Sequence, residues 1–234
     1  MSQSFSRVKE VFNEWAMYRA VVQADYMHHE ELVATLAAWA QQQSQPLRIV
    51  DLGCGDAWLA THAFRQAHVA SYRGVDVSDS AAELARQQTA IWDGRAECVA
   101  GNLAEFLHGL PDASATAVLA SYSLHHFSSD AKVELIHECY RVLAPCGTLL
   151  WIDAVRRNDQ SRGAYIDDLT HVMQNDWTAL TTDQRHKACT HVRESDFPET
   201  AQWMLEHVHA AGFTPPTKIL ERAFFDGWAF TKPR

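Results

Sequence analysis

Apolar residues alternate along this chain between short continuous runs and stretches with helical spacing. The continuous runs lie at 47–51, 71–77, 95–100, 115–121 and 147–153. Each has the length of a strand that is buried on both faces of a sheet. The stretches between them repeat their apolar positions with the period of a helix, at 56–67, 79–92, 102–108 and 129–143. This alternation predicts an α/β fold with a doubly wound, mostly parallel sheet.

Two further segments lie outside this alternation. Residues 5–43 have apolar positions at helical spacing, the first of them Val8, Val11, Phe12 and Trp15. They predict an N-terminal helical cap over residues 1–45, which ends in a polar break before the first strand. Residues 154–197 are polar and irregular, and we expect them to form an inserted lid segment that is helical in part.

The C-terminal part of the chain completes the predicted sheet. A helix is expected at 198–211, and two apolar runs follow near 217–222 and 223–231. Because only a short joint separates these runs, they predict an antiparallel hairpin at the sheet edge. The sheet then has seven strands, and residues 1–234 are predicted to form a single domain.

The sequence Asp51-Leu52-Gly53-Cys54-Gly55-Asp56-Ala57 connects the first predicted strand to the first helix of the sheet. Gly53 and Gly55 lack Cβ where the backbone must bend and where a ligand must approach it closely. Asp56 begins the helix, whose first N–H groups have no partner within it. Strand, glycine turn and helix hold a nucleotide-like ligand at the carboxyl end of a parallel sheet, although a buried tight turn without a ligand is the alternative.

The tip of the second strand carries Asp76, 25 positions after Asp51. An acidic residue there can accept hydrogen bonds from both hydroxyls of a ribose. The alternative role is an N-cap of the next helix, for which Ser78 is better suited. A dinucleotide would require the pattern G-x-G-x-x-G. Trp58 and Leu59 lie where its last glycine is expected, and both side chains are too large for close packing against a pyrophosphate.

Four sequence motifs, in this order, resemble those of the class I (Rossmann-like) S-adenosylmethionine (SAM)-dependent methyltransferases of the small-molecule type. Residues 51–57 resemble D-L-G-C-G-x-G, with Ala57 at the last glycine, and Gly101-Asn102-Leu103 resembles Gly-Asp-Leu. Ser121-Tyr122-Ser123-Leu124-His125-His126-Phe127 resembles the fourth-strand turn of that family. Residues 141–147 resemble R-V-L-x-P-G-G, with Cys146 in place of a glycine. The resemblance covers residues 47–153.

The resemblance implies SAM as the cofactor, S-adenosylhomocysteine as the product, and a set of contacts around the cofactor. The expected cofactor-binding residues are Arg19, Asp51, Gly53, Gly55, Asp56, Asp76, Val77, Asn102, Leu103 and Ser121. Asp51 would meet the methionine ammonium group, and Asn102 the adenine amino group. Arg19 would pair with the methionine carboxylate, or else form a surface ion pair with Glu14 or Glu30.

Methyl transfer is an in-line displacement, so the enzyme mainly aligns the reactants and excludes water. A base is needed only where the acceptor must lose a proton. His125 is the first candidate for a base or an orienting group, with a structural hydrogen bond as its alternative role, and we also expect Tyr18 and His28 in the catalytic site. Further candidates for the acceptor pocket are Tyr26, His29, Tyr122, Asp153, His171, Trp177 and His191.

We predict no required metal. A metal site of the catechol type would need carboxylates at the tips of strands four and five, and only Asp153 is present there. His28, His29 and Glu30 are consecutive, so on a helix they point in different directions. The cysteines form no C-x-x-C pair and have no zinc-site spacing.

The net charge of −9 and the absence of a Lys/Arg block argue against a nucleic-acid partner. Scattered cysteines in odd number suit a reducing compartment, and neither a signal peptide nor a membrane span is indicated, so we expect a cytoplasmic protein. The predicted activity is methylation of a small molecule at oxygen, nitrogen or sulfur. The alternatives are a non-catalytic SAM-binding module or a protein methyltransferase.

Overall fold

The computed structural model describes residues 16–234, and their centre is one β-sheet. Its strands are β1 (Leu47–Leu52), β2 (Val69–Asp76), β3 (Ala96–Ala100), β4 (Ala115–Ser121), β5 (Leu143–Arg156), β6 (Glu199–Thr200), β7 (Thr217–Glu221) and β8 (Phe225–Thr231). Seven of them follow the order β3-β2-β1-β4-β5-β8-β7, and the short β6 pairs with β5 alone. All pairings are parallel except those of β8 with β5 and β7. The predicted seven-stranded sheet with its antiparallel hairpin is thus confirmed.

Helices cover both faces of this sheet. They are α1 (16–23), α2 (His29–Gln41), α3 (Trp58–Ala63), α4 (Asp79–Gln88), α5 (Leu103–His108), α6 (Ser129–Val142), α7 (Arg162–Asp176), α8 (Thr182–Ser195) and α9 (Ala201–Ala210). Two 3₁₀ turns, Thr89–Trp92 and Leu124–His126, follow α4 and β4.

The core has two layers because successive strand residues point to opposite faces of the sheet. In β1, Ile49 packs in the layer that contains residues of α1 to α4, α7 and α8. Its neighbour Val50 packs in the other layer, beneath α5, α6 and α9. The chain leaves β1 toward β2 on one side, and β4 pairs with β1 on the other. This reversal creates a crevice at the carboxyl ends of the strands.

The N-terminal cap differs from the single helical stretch that the sequence predicts. Residues 5–15 of that prediction lie outside the residues that the structure describes. Within the described part, the helix ends at residue 23, and a turn precedes α2. Asp25 and His28 have φ values of 53° and 60° in this turn, which is a left-handed conformation that no α-helix can continue. The aspartate side chain stabilises the turn by accepting a hydrogen bond from the backbone N–H of Glu30 at 3.0 Å.

The segment 154–197 is more regular than we expected from its polarity, since α7 and α8 occupy most of it. Ser161 caps α7, and Thr181 forms a capping box with Gln184 at the start of α8. The capping residues are visible in the sequence and indicate two helix starts, but we did not predict these helices because the segment is so polar. Strand β5 also continues to Arg156, beyond the predicted end at residue 153.

An aromatic contact connects the cap to this inserted segment. The ring of Tyr26 stacks on Trp177 with centroids 4.9 Å apart, and its hydroxyl accepts a hydrogen bond from the backbone N–H of Ala179 at 2.7 Å. Among residues 16–234, none of the helices has the length and apolarity that crossing a bilayer requires.

Candidate active site

A cavity of about 520 Å³ lies above the carboxyl ends of β1, β2 and β4, where the crevice is expected. The α1–α2 region and the helices α7 and α8 close it from above. Its volume falls within the range of about 300–1,000 Å³ typical of small-molecule sites. One end contains the glycine turn after β1, and the other contains a group of histidines, so we call them the glycine-loop end and the histidine end.

The glycine turn has a conformation that depends on the absence of side chains. Gly53 has a φ of +71°, and a Cβ added to it would lie 2.4 Å from Cβ of Ser123. Gly55 has a φ of +55° and Ala57 a φ of 60°, so left-handed positions recur along the turn. The N–H groups of Gly53 and Cys54 both donate to the carbonyl of Val75, at 2.8 and 3.0 Å. The turn is therefore fixed against β2.

Two carboxylates flank this turn inside the cavity. Asp76 accepts hydrogen bonds from the N–H groups of Gly55 and Ser78, each at 2.9 Å. Asp51 is buried and accepts a hydrogen bond from the Tyr72 hydroxyl at 2.7 Å. Burial raises the pKa of Asp51 to about 7, although the tyrosine opposes this shift. The glycine-loop end thus offers two acids to a cationic or hydroxylated ligand.

At the histidine end, His125 lies in the 3₁₀ turn after β4, and its ring is buried. Its Nδ1 atom lies 2.5 Å from Oδ1 of Asp153 on β5. The other carboxylate oxygen accepts a hydrogen bond from the indole N–H of Trp151 at 3.0 Å. Burial lowers the pKa of His125, but the charge of Asp153 and its hydrogen bond outweigh burial and raise the pKa above its usual range. This pairing orients the imidazole, with Nε2 as the ring atom that Asp153 leaves unengaged.

Asp196 completes the histidine end, and it is not among the site residues predicted from the sequence. It follows α8, and its Oδ1 atom lies 3.3 Å from Nδ1 of His126, 3.7 Å from Nε2 of His125 and 3.9 Å from Nε2 of His191. The residue is buried, and all four side chains line the cavity. No sequence spacing indicates this contact, because it depends on how α7 and α8 fold back over the sheet.

Residues 49–147 match a family model described as a methyltransferase domain. No curated protein sequence matches the chain significantly. The fold is similar to that of an O-methyltransferase family protein from Burkholderia thailandensis, at 17% identity and a TM-score of 0.65. That alignment covers 97% of this chain and 60% of the other, so this chain spans about three-fifths of its length.

The family match identifies a methyltransferase domain within residues 49–147, the part of the chain that carries the four motifs. The match supports SAM as the cofactor, as the motifs predict. The fold is also similar to human N-acetylserotonin methyltransferase, solved in complex with SAM, at 14% identity and a TM-score of 0.60, covering 92% of this chain and 55% of that one. The YcgJ protein from Bacillus subtilis is similar at 16% identity and a TM-score of 0.57, covering 86% and 99%.

The structure brings part of the predicted cofactor set together. The larger cavity is lined by five of them: Asp51, Gly53, Gly55, Asp76 and Ser121. The hydroxyl of Ser121 is buried and has no hydrogen-bond partner within residues 16–234. A polar atom of this kind beside a cavity is suited to a ligand.

The other five expected cofactor contacts do not line this cavity, and three of them lie on the surface, in the core or in a helix cap. Val77 points outward with 82% of its surface exposed, and Leu103 packs in the core. Asn102 caps α5, and its Oδ1 atom accepts hydrogen bonds from Ala104 N at 2.8 Å and Glu105 N at 3.2 Å. The amide oxygen that we expected to accept from adenine is thus already engaged, and the adenine contact stays a prediction.

Arg19 and Asp56 lie in a second, smaller cavity of about 210 Å³. Asp56 accepts hydrogen bonds from Trp58 N and from Nε2 of Gln88, each at 3.1 Å. Burial raises the pKa of Asp56, and the nearby charge of Arg19 opposes this effect. The predicted pairing of Arg19 with the methionine carboxylate stays a prediction, since it would take place at the wall between the cavities.

Tyr18 lines both cavities and lies over the glycine turn, away from His125. Its hydroxyl is 3.6 Å from the position that a Cβ on Gly55 would occupy. Burial raises its pKa first, and the carboxylates of Asp56 and Asp51 add to this effect. The placement favours a role at the cofactor over the expected catalytic role at the acceptor.

His28 does not line the cavity either, and its neighbour His29 does. The left-handed conformation of His28 turns its ring toward the edge of Phe225, with centroids 6.4 Å apart. His29 is buried, its pKa falls to about 4 through burial, and its Nδ1 has no hydrogen-bond partner in the described chain. Both histidines are candidates in the sequence, and only the turn decides which of the two rings lines the cavity.

The other acceptor-pocket candidates divide between the wall and the outside. Tyr122 lines the cavity, and its hydroxyl donates to the carbonyl of Met27. Trp177 and His191 also line it. His171 is exposed on α7, outside the cavity, and Tyr26 makes the cap contact described above.

Proposed function

We propose that this protein is a SAM-dependent methyltransferase, which transfers the methyl group of SAM to a small molecule with an apolar body and a nucleophilic oxygen, nitrogen or sulfur atom. The observation that carries the proposal is one covered cavity with two chemically different ends. A protein substrate would need an open groove, and a non-catalytic SAM-binding module would need no polar pocket beyond the cofactor.

The cofactor would occupy the glycine-loop end. Asp51 would accept the methionine ammonium group, and the remaining lone pairs of Asp76 would accept the ribose hydroxyls. SAM carries a sulfonium charge, so the two carboxylates favour its binding electrostatically. Ser121, with its unpartnered hydroxyl, lies at the tip of β4 between the two ends and would contact the cofactor near the reacting centre.

The acceptor would occupy the space between α7, α8 and His125. Leu169, Met173, Trp177 and Val192 contribute apolar surface there. Such surface binds the body of an aromatic or aliphatic acceptor and excludes water from the methyl group. His125, oriented by Asp153, would orient the nucleophilic atom or accept its proton. The nucleophile then bonds to the methyl carbon as the carbon–sulfur bond breaks and S-adenosylhomocysteine leaves.

Calorimetric titration of the full chain with SAM and with S-adenosylhomocysteine tests the cofactor half of the proposal. Asp76→Ala removes a carboxylate with two backbone partners, and we expect a roughly hundredfold loss of affinity, equivalent to about 3 kcal/mol. Asp79→Ala, exposed in the first turn of α4, is the matched control and should bind normally. Equal affinity in both variants would remove Asp76 from the site.

Incubation with SAM and a panel of phenols, amines and thiols of increasing apolar size tests the acceptor half, with mass spectrometry to detect methylated product. We expect turnover to increase with apolar size up to the capacity of the cavity. SAM binding without any methylated small molecule would favour the non-catalytic module, and methylation of peptides alone would favour a protein substrate. A cytoplasmic location and the lack of a nucleic-acid partner stay predictions.

A further inference from the structure

We propose that His125, His126, His191 and Asp196 bind one divalent transition-metal ion at the histidine end of the cavity. We call these four residues the histidine–aspartate cluster. The inference rests on the proposed function, because the ion would lie where the acceptor's nucleophilic atom is expected. It departs from our expectation of no required metal, which considered only the strand tips and could not place Asp196.

The first support is the spacing of the candidate ligand atoms. Oδ1 of Asp196 lies 3.3, 3.7 and 3.9 Å from one nitrogen each of His126, His125 and His191. The ligand atoms of His125, His126 and Asp196 all lie within 4.8 Å of one another. Metal–ligand bonds of about 2.0–2.1 Å in a tetrahedral site place neighbouring ligand atoms about 3.3 Å apart. Small rotations of these three side chains would therefore close them around an ion, and His191 would approach as the fourth ligand from its position 3.9 Å from Oδ1 of Asp196.

The second support is an unsatisfied carboxylate. The side chain of Asp196 is only 7% exposed, and its Oδ1 has no hydrogen-bond partner within residues 16–234. A buried charged oxygen without a partner is destabilising, and a bound cation would offset that cost. The surrounding imidazole nitrogens are near enough to share an ion with this oxygen, yet none donates a hydrogen bond to it.

The third support is the way the cluster is held. Asp153 accepts from Nδ1 of His125, so the carboxylate–histidine pair has the form that orients a metal-binding imidazole. Backbone contacts fix the two buried members: Phe197 N donates to the carbonyl of His125 at 2.6 Å, and Nε of Arg162 donates to that of Asp196 at 2.7 Å. Lys132, itself buried, donates to the carbonyl of Phe197. A site held in this way loses little entropy when it binds an ion.

The donor set points to a class of ion. Three imidazoles and one carboxylate suit Zn²⁺, Co²⁺ or Ni²⁺ far better than Mg²⁺ or Ca²⁺, which prefer oxygen ligands. Nδ1 of His126 also lies 3.3 Å from the carbonyl of Ser195, and ion binding would replace that contact. A bound ion would act as a Lewis acid that stabilises the deprotonated acceptor. With His125 as a ligand of the ion and no longer the base, the acceptor proton would pass to solvent. The acceptor's oxygen or sulfur would then bond to the methyl carbon as the carbon–sulfur bond of SAM breaks and S-adenosylhomocysteine leaves.

The test uses the full chain without an affinity tag, treated with chelator and then titrated with Zn²⁺, with elemental analysis of the dialysed protein. We expect one ion per chain. Asp196→Asn keeps the shape but not the charge and should weaken Zn²⁺ binding by at least 10–100-fold, the range typical even for residues behind the ligands. His171→Gln, exposed on α7, is the control and should bind as the unmodified chain does.

A second measurement separates ligation from loss of fold. Co²⁺ bound by nitrogen and oxygen in a tetrahedral site absorbs visible light, and His191→Ala should weaken this band while thermal unfolding shows the variant folded. No Zn²⁺ binding, or binding that Asp196→Asn leaves unchanged, would establish an ordinary histidine–carboxylate cluster. Titration with SAM reports the cofactor end separately, so failure of the metal proposal and failure of the proposed function are distinguishable.

Discussion

The two ends of the cavity are built by different means. At the glycine-loop end, Gly53, Gly55 and Asp76 come from consecutive strand–turn–helix units, and backbone hydrogen bonds connect them. At the histidine end, Asp153 and Asp196 lie 28 and 71 positions after His125, and the functional contacts among them join side chains. The first end is a property of backbone conformation, and the second is a property of side-chain identity. Substitutions should therefore affect the two ends in different ways.

The largest effect is expected from Gly53→Ala, which disturbs the backbone conformation of the glycine turn. The new Cβ would meet Cβ of Ser123 at 2.4 Å and adopt a left-handed φ, at a combined cost of about 2–5 kcal/mol. We expect SAM binding to become undetectable by calorimetry and the melting temperature to fall. Gly94→Ala is the control, because Gly94 has a φ of +79° with nothing within 4 Å of the added Cβ. It should lose about 1–2 kcal/mol of stability but no SAM affinity.

His125→Gln changes the histidine end, and we expect it to lower the rate of methyl transfer without weakening SAM binding. Loss of an acid–base or orienting group lowers kcat by about 10²–10⁴-fold, and SAM affinity should change less than twofold because the ring lies away from the glycine turn. Steady-state kinetics with an active acceptor and a SAM titration measure the two quantities. His108→Gln, exposed on α5, should leave both unchanged. A large loss of SAM affinity in His125→Gln would show that the two ends are coupled.

The same contrast explains how far the sequence could be read. Asp51, the glycines and Asp76 line one cavity, as the sequence indicates, because parallel strands bring the ends of neighbouring units together. Which of His28 and His29 lines the cavity could not be predicted, because it depends on the left-handed backbone conformation of His28. Asp196 could not be found, because its position depends on the packing of α7 and α8. Local backbone rules thus predict the cofactor end, whereas the acceptor end requires tertiary structure.

A smaller effect, on pH dependence, should be confined to the glycine-loop end. The pKa of Asp51 is about 7 in the folded chain, so the carboxyl group becomes protonated as the pH falls below 7. The ammonium group of SAM needs the carboxylate, and SAM affinity should therefore fall by up to about tenfold per pH unit below 7. Titrations between pH 5.5 and 8 measure this slope. Asp51→Asn should bind SAM weakly with no such slope, and a slope that persists in it would exclude Asp51 as its source.

The same substitution should act on stability in the opposite direction. Because the folded pKa of Asp51 is raised, its contribution to stability is fully present below the unfolded pKa and is lost as the pH rises through about 7. At pH 8 the buried carboxylate opposes folding, and Asp51→Asn should raise the melting temperature while it weakens SAM binding. Equal melting temperatures at pH 8 would show that the Tyr72 hydrogen bond already compensates for the buried charge.

The smallest effect concerns left-handed positions where the resembling family has glycine. Cys146 has a φ of 63° and an exposed side chain, and it lines neither cavity. Cys146→Gly removes about 1–2 kcal/mol of strain and adds about 0.5–1 kcal/mol of unfolded-state entropy, so stability should rise by about 0.5 kcal/mol. The melting temperature should rise by about 1–2 °C without a change in SAM affinity.

Ala57→Gly is the matched comparison for Cys146→Gly, because it removes a side chain from a buried left-handed position. Ala57 has a similar φ of 60°, but it is buried in the glycine turn with 1% of its surface exposed. Loss of its buried methyl group costs about 0.8 kcal/mol and offsets the relief of strain. We therefore expect no gain in melting temperature at Ala57 and a gain at Cys146. A gain at both positions would mean that the methyl group of Ala57 contributes nothing to the packing of the turn, and that the glycine-loop end depends on backbone conformation alone.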